Sequence, residues 1–473
     1  MQMNSKEKIN FNDQYSIKPI FIMVGISTLV LFFFSSLRHS LFQSGALDLG
    51  FFDQGIWLVS QGIVPKSSII DIHLLGDHAA FILYPLSLFY KIYPDVHWLF
   101  LIQAIAISVG VFPIVILSRQ KRIERKQLYL VVFIYLFSPI IFNANSTYDF
   151  HPDIFAVPCL LWCILWTEEN KLVHFCFTLF ILLSCKAVFS LTVIALGGWL
   201  LFRKKRLMGG IAIALGIFWF LVATQIVMPI VGAGTGRFLS RYSSLGGSYL
   251  EIFTNLFVKP NLFLSKFFSL DSLIYLLLLF VPVIWCFKYV DKTLLLITVP
   301  TIMTNILSTD PQQRYLSNHY PLPVLPILIV MVISSINKFT SQKKWRYLFI
   351  VFWISLTFIT MSRLNLFIGE YLQFLDTWQA NNEAIALVKT QGSILTTHEI
   401  APHVTHRPQV KLAFSDLNYN LEEFDYILLN TRHAGWRSDR NYALGLVEQA
   451  KKIPSFKLEY QKDDVYLFMK NNL

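Results

Sequence analysis

Long apolar runs separated by short polar connectors set the rhythm of this chain. About twenty consecutive apolar residues cross a bilayer's hydrocarbon core as a helix. Runs at or near that length lie around 19–37, 97–117, 127–144, 152–167, 172–185, 187–202, 207–228, 271–287, 292–307, 321–337 and 346–362. The pattern predicts an α-helical polytopic membrane protein with about eleven transmembrane helices. The stretch 172–202 would measure roughly 46 Å as one straight helix, too long for a single level span. Lys186 interrupts it, so a hairpin or a pair of tilted short helices is expected to turn there.

Past residue 362 the rhythm changes. Charged residues become frequent, and short β-like runs appear at SILTT (393–397), VKLAF (410–414), YILLN (426–430), FKLEY (456–460) and VYLFMK (465–470). TWQANNEAIALVK (377–389) and NYALGLVEQAKK (441–452) have helical periodicity. Strands alternating with helices predict a small α/β domain. Three segments follow: an N-terminal tail over 1–18, a transmembrane domain over 19–362 and the α/β domain over 363–473.

Composition and charge refine this picture. Of 473 residues, 55% are hydrophobic and only 15% charged, well off the balance of a soluble domain. A net charge of +11 could suggest nucleic acid, but the basic residues sit in short connectors between apolar runs. They read as a topology signal, and no nucleic-acid partner is expected. SRQKRIERKQ (118–127), RKKR (203–206), KYVDK (288–292) and KFTSQKKWR (338–346) fall on one side if an even number of crossings separates each pair. The spans above satisfy that parity. The N-terminus is then cytoplasmic, and the outer face receives 38–96, 143–151, the turn at Lys186, 229–270, 308–320 and the α/β domain. The polar start lacks the features of a cleaved signal peptide, so the first run reads as a retained anchor. The five cysteines lie in or beside apolar runs without the spacing of a zinc set, and neither disulfide nor metal is expected of them.

Candidate chemistry collects on the outer side. The loop ALDLGFFDQGIWLVSQGIVPKSSIIDIHLLGDH (46–78) carries Asp48, Asp53, Asp71, His73, Asp77 and His78. As a helix, its first part puts Asp48 and Asp53 about 500° apart, on different faces. Phe51, Phe52, Ile56 and Trp57 would form an apolar face suited to an interfacial helix lying on the bilayer. A carboxylate among those aromatics would be desolvated, a useful property in a general base. TYDFHPD (147–153) adds Asp149, His151 and Asp153. Asp149 and Asp153 share a face if helical, yet Pro152 suits a helix start, where acidic groups are also structurally favoured. Such an Asp/His/Asp group can bind a divalent cation, but the spacing assigns no cofactor. The cationic candidates are Lys186, Arg237, Arg241, Arg314 and His319, the last two in QQRYLSNHYP (312–321). An Arg with a nearby His suits a phosphate, while Arg237 and Arg241 also fit ordinary interfacial snorkelling. His403 in PHVTHR (402–407) either lines the site from above or belongs to a helix end and turn. No Gly-rich phosphate loop or nucleophile elbow is present, which argues against cytosolic nucleotide hydrolysis.

Taken in order, DLGFFDQGIW, GDH, YDFHPD, HYPLPVLP, APHVTHRP, YILLNTRHAGW and DDVYLFMK resemble a large bacterial family of predicted membrane proteins with a domain of unknown function. That family in turn resembles the GT-C superfamily of membrane glycosyltransferases. The resemblance implies many spans, an essential Asp early in the first outer loop, and transfer of a sugar from a polyprenyl-phosphate donor at the outer face of the bacterial plasma membrane. It makes Asp48 or Asp53 the candidate base, joined by Asp149, His151 and Asp153, with Arg314 and His319 as candidates for the lipid phosphate. His78, Lys186 and His403 complete the expected substrate contacts. Family members usually read Lys-Glu-Asp where this chain reads Lys186-Ala187-Val188, so the lysine is kept and two carboxylates are missing. A transporter or flippase would predict charges buried mid-span and inverted repeats, neither of which is evident. A non-catalytic scaffold using its α/β domain to bind a partner is the remaining alternative.

Overall fold

A computed structural model describes residues 18–232, 239–340 and 345–471. Residues 1–17 of the N-terminal tail, expected on the cytoplasmic side, and Arg237 lie outside the described residues.

The apolar runs become helices, as their composition requires: with no water in the hydrocarbon core, each backbone polar group must be satisfied within its own helix. Among the described residues five helices are long and apolar enough to cross a membrane: Lys18–Ser40, His97–Gln120, Arg125–Thr147, Arg206–Ile230 and Leu322–Thr340. Two bent pairs, Pro260–Phe267 with Leu270–Cys286 and Trp345–Met361 with Leu364–Leu387, raise the number to seven if each is one span. Several of the remaining runs form helices shorter than a full crossing, among them Leu172–Cys185 and Phe189–Phe202. The break between those two falls at Lys186, whose extended backbone ends the first helix. Loop 78–82 docks on this break: Ala187 donates its N–H to the His78 carbonyl at 2.9 Å, and Ile82 to that of Ser184 at 3.0 Å.

The C-terminal part is a small α/β domain. Two short strands, β1 (Lys66–Ser67) and β2 (Ile72–His73), pair antiparallel within the first loop. The main sheet comprises β3 (Ile394–Thr396), β4 (Val410–Leu412), β5 (Tyr426–Asn430), β6 (Phe456–Lys462) and β7 (Val465–Lys470), in the order β4-β3-β5-β7-β6. β3 pairs in parallel with β4 and β5, and β7 runs antiparallel to both β5 and β6. Side chains alternate between faces along a strand, and the burial follows. Ile394, Tyr426, Leu428, Val465 and Leu467 pack with Ala380 and Ala384 of the Leu375–Leu387 helix. Leu395, Ile427, Leu429 and Phe468 pack with Leu446, Val447 and Ala450 of the Arg440–Lys451 helix.

The first of these faces also takes up Phe42, Ala46 and Ile69 from the first loop, which ties the sheet to the end of the helical bundle. Here one expectation is overturned. The helix Phe51–Ser60 does not lie open on a bilayer surface: Phe51, Phe52, Ile56 and Trp57 are all at most 2% exposed. The apolar face packs with Leu74, Leu83, Tyr90, Leu99 and Phe150. Its polar side meets the C-terminal domain, where the Gln54 amide donates to the Arg407 carbonyl at 3.0 Å.

Candidate functional site

The first loop opens with a π-helical turn, Ala46–Gly50, running directly into the Phe51–Ser60 helix. Asp48 and Asp53 therefore point to different neighbours, as their spacing predicts, and each anchors a separate polar group.

Asp48 faces His151, Oδ1 to Nε2 at 3.4 Å, and accepts a hydrogen bond from the Tyr148 hydroxyl. The His151 ring stacks on His319 with centroids 3.8 Å apart and planes 13° from parallel. His319 Nε2 lies 4.0 Å from Asp153 Oδ1, and Asp153 holds the Lys186 ammonium at 3.1 Å and 3.2 Å. Lys186 and Arg241 both sit over the Tyr320 ring, at 5.7 Å and 6.0 Å. His78 pairs with Asp77 at 3.0 Å beside this group. The local sequence explains the convergence. His151 is extended just before the short 3-10 turn Pro152–Phe155, so His151 and Asp153 leave the backbone in different directions, one toward Asp48 and the other toward Lys186.

Most of this group is buried. His151, Asp153, Lys186 and His319 are 3–6% exposed, whereas the Asp48 side chain keeps 37% of its surface. Burial pushes the Asp48 carboxyl up, but the charge of His151 and the hydrogen bonds from His151 and Tyr148 outweigh it and hold it below the usual carboxylate range. Burial works against the His151 imidazolium, and Asp48 with Asp153 outweighs that too, so His151 titrates above its ordinary value. His319 goes the other way: burial, then the nearby His151 and Lys186 charges, keep it neutral. Neither of its ring nitrogens has a hydrogen-bond partner among the described residues. A buried neutral imidazole beside a lysine, next to a partly exposed carboxylate, is suited to a polar ligand that supplies the missing bonds.

The other expected site residues lie elsewhere. Asp149 does not share a face with Asp153: it pairs with Arg38 at 2.6 Å and accepts from the Gly45 N–H at 2.8 Å, pinning the start of the first loop to the first helix. Asp53, 1% exposed, accepts from the Tyr90 hydroxyl at 2.5 Å and from the Thr405 hydroxyl, and pairs with His406 at 3.1 Å. His403 is in this second group, stacked on His39. Arg314 donates to the Ser308 and Asn305 carbonyls at 3.0 Å and 3.4 Å and faces Asp271 at 3.9 Å. Of the supporting residues, His73 caps the short helix Leu74–His78 and Asp71 makes an exposed pair with Lys66. Ala187, where the resemblance leads one to expect a carboxylate, packs with Ala79, Ala223 and Met228. Tyr148 and Tyr320 carry no signal of their own in the sequence, although they lie inside TYDFHPD and QQRYLSNHYP. Among the described residues no group of three or more His, Cys, Asp or Glu side chains is placed to hold a metal ion.

The whole chain is similar to ArnT from Cupriavidus metallidurans. The structure of ArnT bound to undecaprenyl phosphate matches with a TM-score of 0.60 at 10% identity, covering 96% of this chain and 98% of that one. The apo structure matches with a TM-score of 0.58 at 11% identity, covering 95% and 97%. At such identities the likeness is one of fold, and that fold is the one the motif resemblance implied. No curated protein matches the sequence. The family model "Predicted membrane protein (DUF2079)" matches residues 38–467, so the chain belongs to that family of predicted membrane proteins.

Proposed function

We propose that this protein is a membrane glycosyltransferase that moves a sugar from a polyprenyl-phosphate donor to an acceptor hydroxyl at the outer face of a bacterial plasma membrane. The transmembrane domain (19–362) would carry the site and the C-terminal domain (363–473) would cover it. The observation that carries this reading is the linked row Asp48–His151–His319–Asp153–Lys186, with an accessible carboxylate at one end and a buried cation at the other. The fold shared with ArnT, one structure of which holds undecaprenyl phosphate, supports a polyprenyl phosphate as the lipid partner.

The chemistry is an inverting displacement. Asp48, ionised because His151 stabilises its charge, takes the proton of the acceptor hydroxyl. That oxygen attacks the anomeric carbon. The bond from the anomeric carbon to the phosphate oxygen breaks, and the lipid phosphate leaves with the electron pair. Lys186 and a hydrogen bond from His319 meet the charge that develops on it, with Arg241 nearby. Arg314, already tied to two carbonyls, contributes to phosphate binding only by giving those up.

The test is transfer from a radiolabelled polyprenyl-phosphate sugar by the purified chain in nanodiscs. Asp48→Asn should lower the rate by about 10²–10⁴-fold, with the protein folded as before. Undiminished transfer by Asp48→Asn would remove the proposed base.

A further inference from the structure

A polar cavity of about 280 Å3 opens at the seam between the helical bundle and the C-terminal domain, lined by Asp53 rather than Asp48. Asp95, His39, His97, His403 and His406 line it too. Its interior is built from contacts already made. His406 pairs with Asp53, and the His39 and His403 rings stack with centroids 3.9 Å apart. At the rim, Asp95 accepts from the backbone and ring N–H of His97 at 2.8 Å and 2.6 Å. The rim side chains are 34% and 44% exposed, so a ligand can reach the cavity.

The lining discriminates between ligand classes. A phosphate would face the Asp53 and Asp95 carboxylates, and the arginine in the lining, Arg407, already donates to the Val404 and Gly392 carbonyls at 2.8 Å each. An apolar group would strand a wall of ionisable side chains without partners. A cation finds no three ligands placed to hold it among the described residues. A neutral, hydroxyl-rich ring matches each feature. Carboxylate oxygens accept from hydroxyls, and a neutral imidazole both donates and accepts. Burial keeps His403 in that neutral state by pushing its pKa down to about 3. The volume is at the small end of the roughly 300–1,000 Å3 typical of ligand cavities, enough for a single ring.

We propose that this cavity binds one sugar ring of a carbohydrate acceptor, anchoring it in the polar group around Asp53 rather than in the one around Asp48. As an acceptor subsite it rests on the glycosyl-transfer reading above, but its ligand class stands on the cavity alone. The experiment is saturation-transfer NMR on the full chain in nanodiscs with glucose, galactose, mannose and N-acetylglucosamine. At least one sugar should give signals that fall several-fold in the rim double variant Asp95→Asn/His97→Gln and in the cavity-filling His97→Trp, and persist in Asp48→Asn. Signals from none of the four sugars, or signals unchanged in both rim variants, overturn the proposal. So does stoichiometric Mn2+ binding that is lost in the same variants, which would make this a cation site. If sugar binding behaves as expected but no transfer occurs from any polyprenyl-phosphate donor, the cavity stands and the transferase reading falls. If transfer depends on Asp48 but the rim variants bind sugar normally, the reverse holds.

Discussion

Two carboxylates in the second polar loop show how residue type alone leaves a role open. Asp149 and Asp153 come from one seven-residue motif, yet Asp149 is held by Arg38 in a buried ion pair and Asp153 by Lys186 near the proposed reaction centre. Breaking a buried pair by removing one partner leaves an uncompensated charge and costs about 3–5 kcal/mol. Asp149→Asn should therefore lower the midpoint of thermal unfolding in detergent clearly, and Asp48→Asn should lower it much less, because Asp48 keeps about a third of its surface. Equal losses in the two variants would refute this division. The Asp48–His151 pair also sets a pH window. With its pKa depressed, Asp48 contributes fully above its ordinary value of 3.8 and loses that contribution as the pH falls through its lower folded value. With its pKa raised, His151 contributes fully below 6.5 and loses that contribution as the pH rises through its higher folded value. The kcat/KM profile should thus be bell-shaped, with an acid limb below the ordinary carboxylate value and an alkaline limb above the ordinary imidazole value. His151→Gln should abolish the alkaline limb and move the acid limb upward, since burial is then less opposed. A profile unchanged by His151→Gln would break the link. None of these pairings was legible in sequence, because Arg38 and Lys186 are both remote along the chain from the acids they meet.

At the level of elements, the sequence was legible wherever the determinants are local. All five strands of the main sheet fall within or around the β-like runs, since alternation needs only neighbouring residues. The break at Lys186 was legible as well, because one charge in a long apolar run leaves few alternatives. The apolar face of the Phe51–Ser60 helix is legible, but not what covers it: that face packs on Leu74, Leu83, Tyr90, Leu99 and Phe150, and the polar side meets residues near 405, more than 340 positions away. Close packing of another pair yields a prediction. A Cβ on Gly197 would fall 2.7 Å from the Gly209 carbonyl oxygen and 2.9 Å from the Ile213 nitrogen, so the Phe189–Phe202 and Arg206–Val222 helices approach backbone to backbone. Gly198 has nothing within 4 Å of that position. Gly197→Val should cost about 1–3 kcal/mol or more through overpacking, whereas Gly198→Ala should be close to neutral. Thermal unfolding of the two variants side by side checks this, and similar midpoints would refute it.

For the whole molecule, the C-terminal domain acts on the first loop through a few enclosed contacts. Thr405 and His406 hold Asp53, Gln54 reaches the Arg407 carbonyl, and the Ser68 hydroxyl both donates to the Val410 carbonyl at 3.1 Å and accepts its N–H at 2.7 Å. Thr405→Val with His406→Phe should loosen residues 46–78, seen as faster protease cleavage there, and lower transfer while Asp48 stays in place. Unchanged cleavage would mean that the loop holds its shape without the domain. This coupling was invisible in sequence for the reason that hid Asp53's partners: it joins the two ends of the chain.

The halves of the interrupted helix carry a further consequence. Leu172–Cys185 has 14 residues and reaches only about 21 Å along its axis, against a hydrocarbon thickness of about 30 Å. A bilayer accommodates such a mismatch by thinning beside the short segment. Lipid headgroups near Lys186 would then sit several ångströms deeper than elsewhere around the protein. A long-chain lipid phosphate could meet the buried ammonium with little of its tail drawn out of the membrane, and thicker bilayers should slow the reaction at that step.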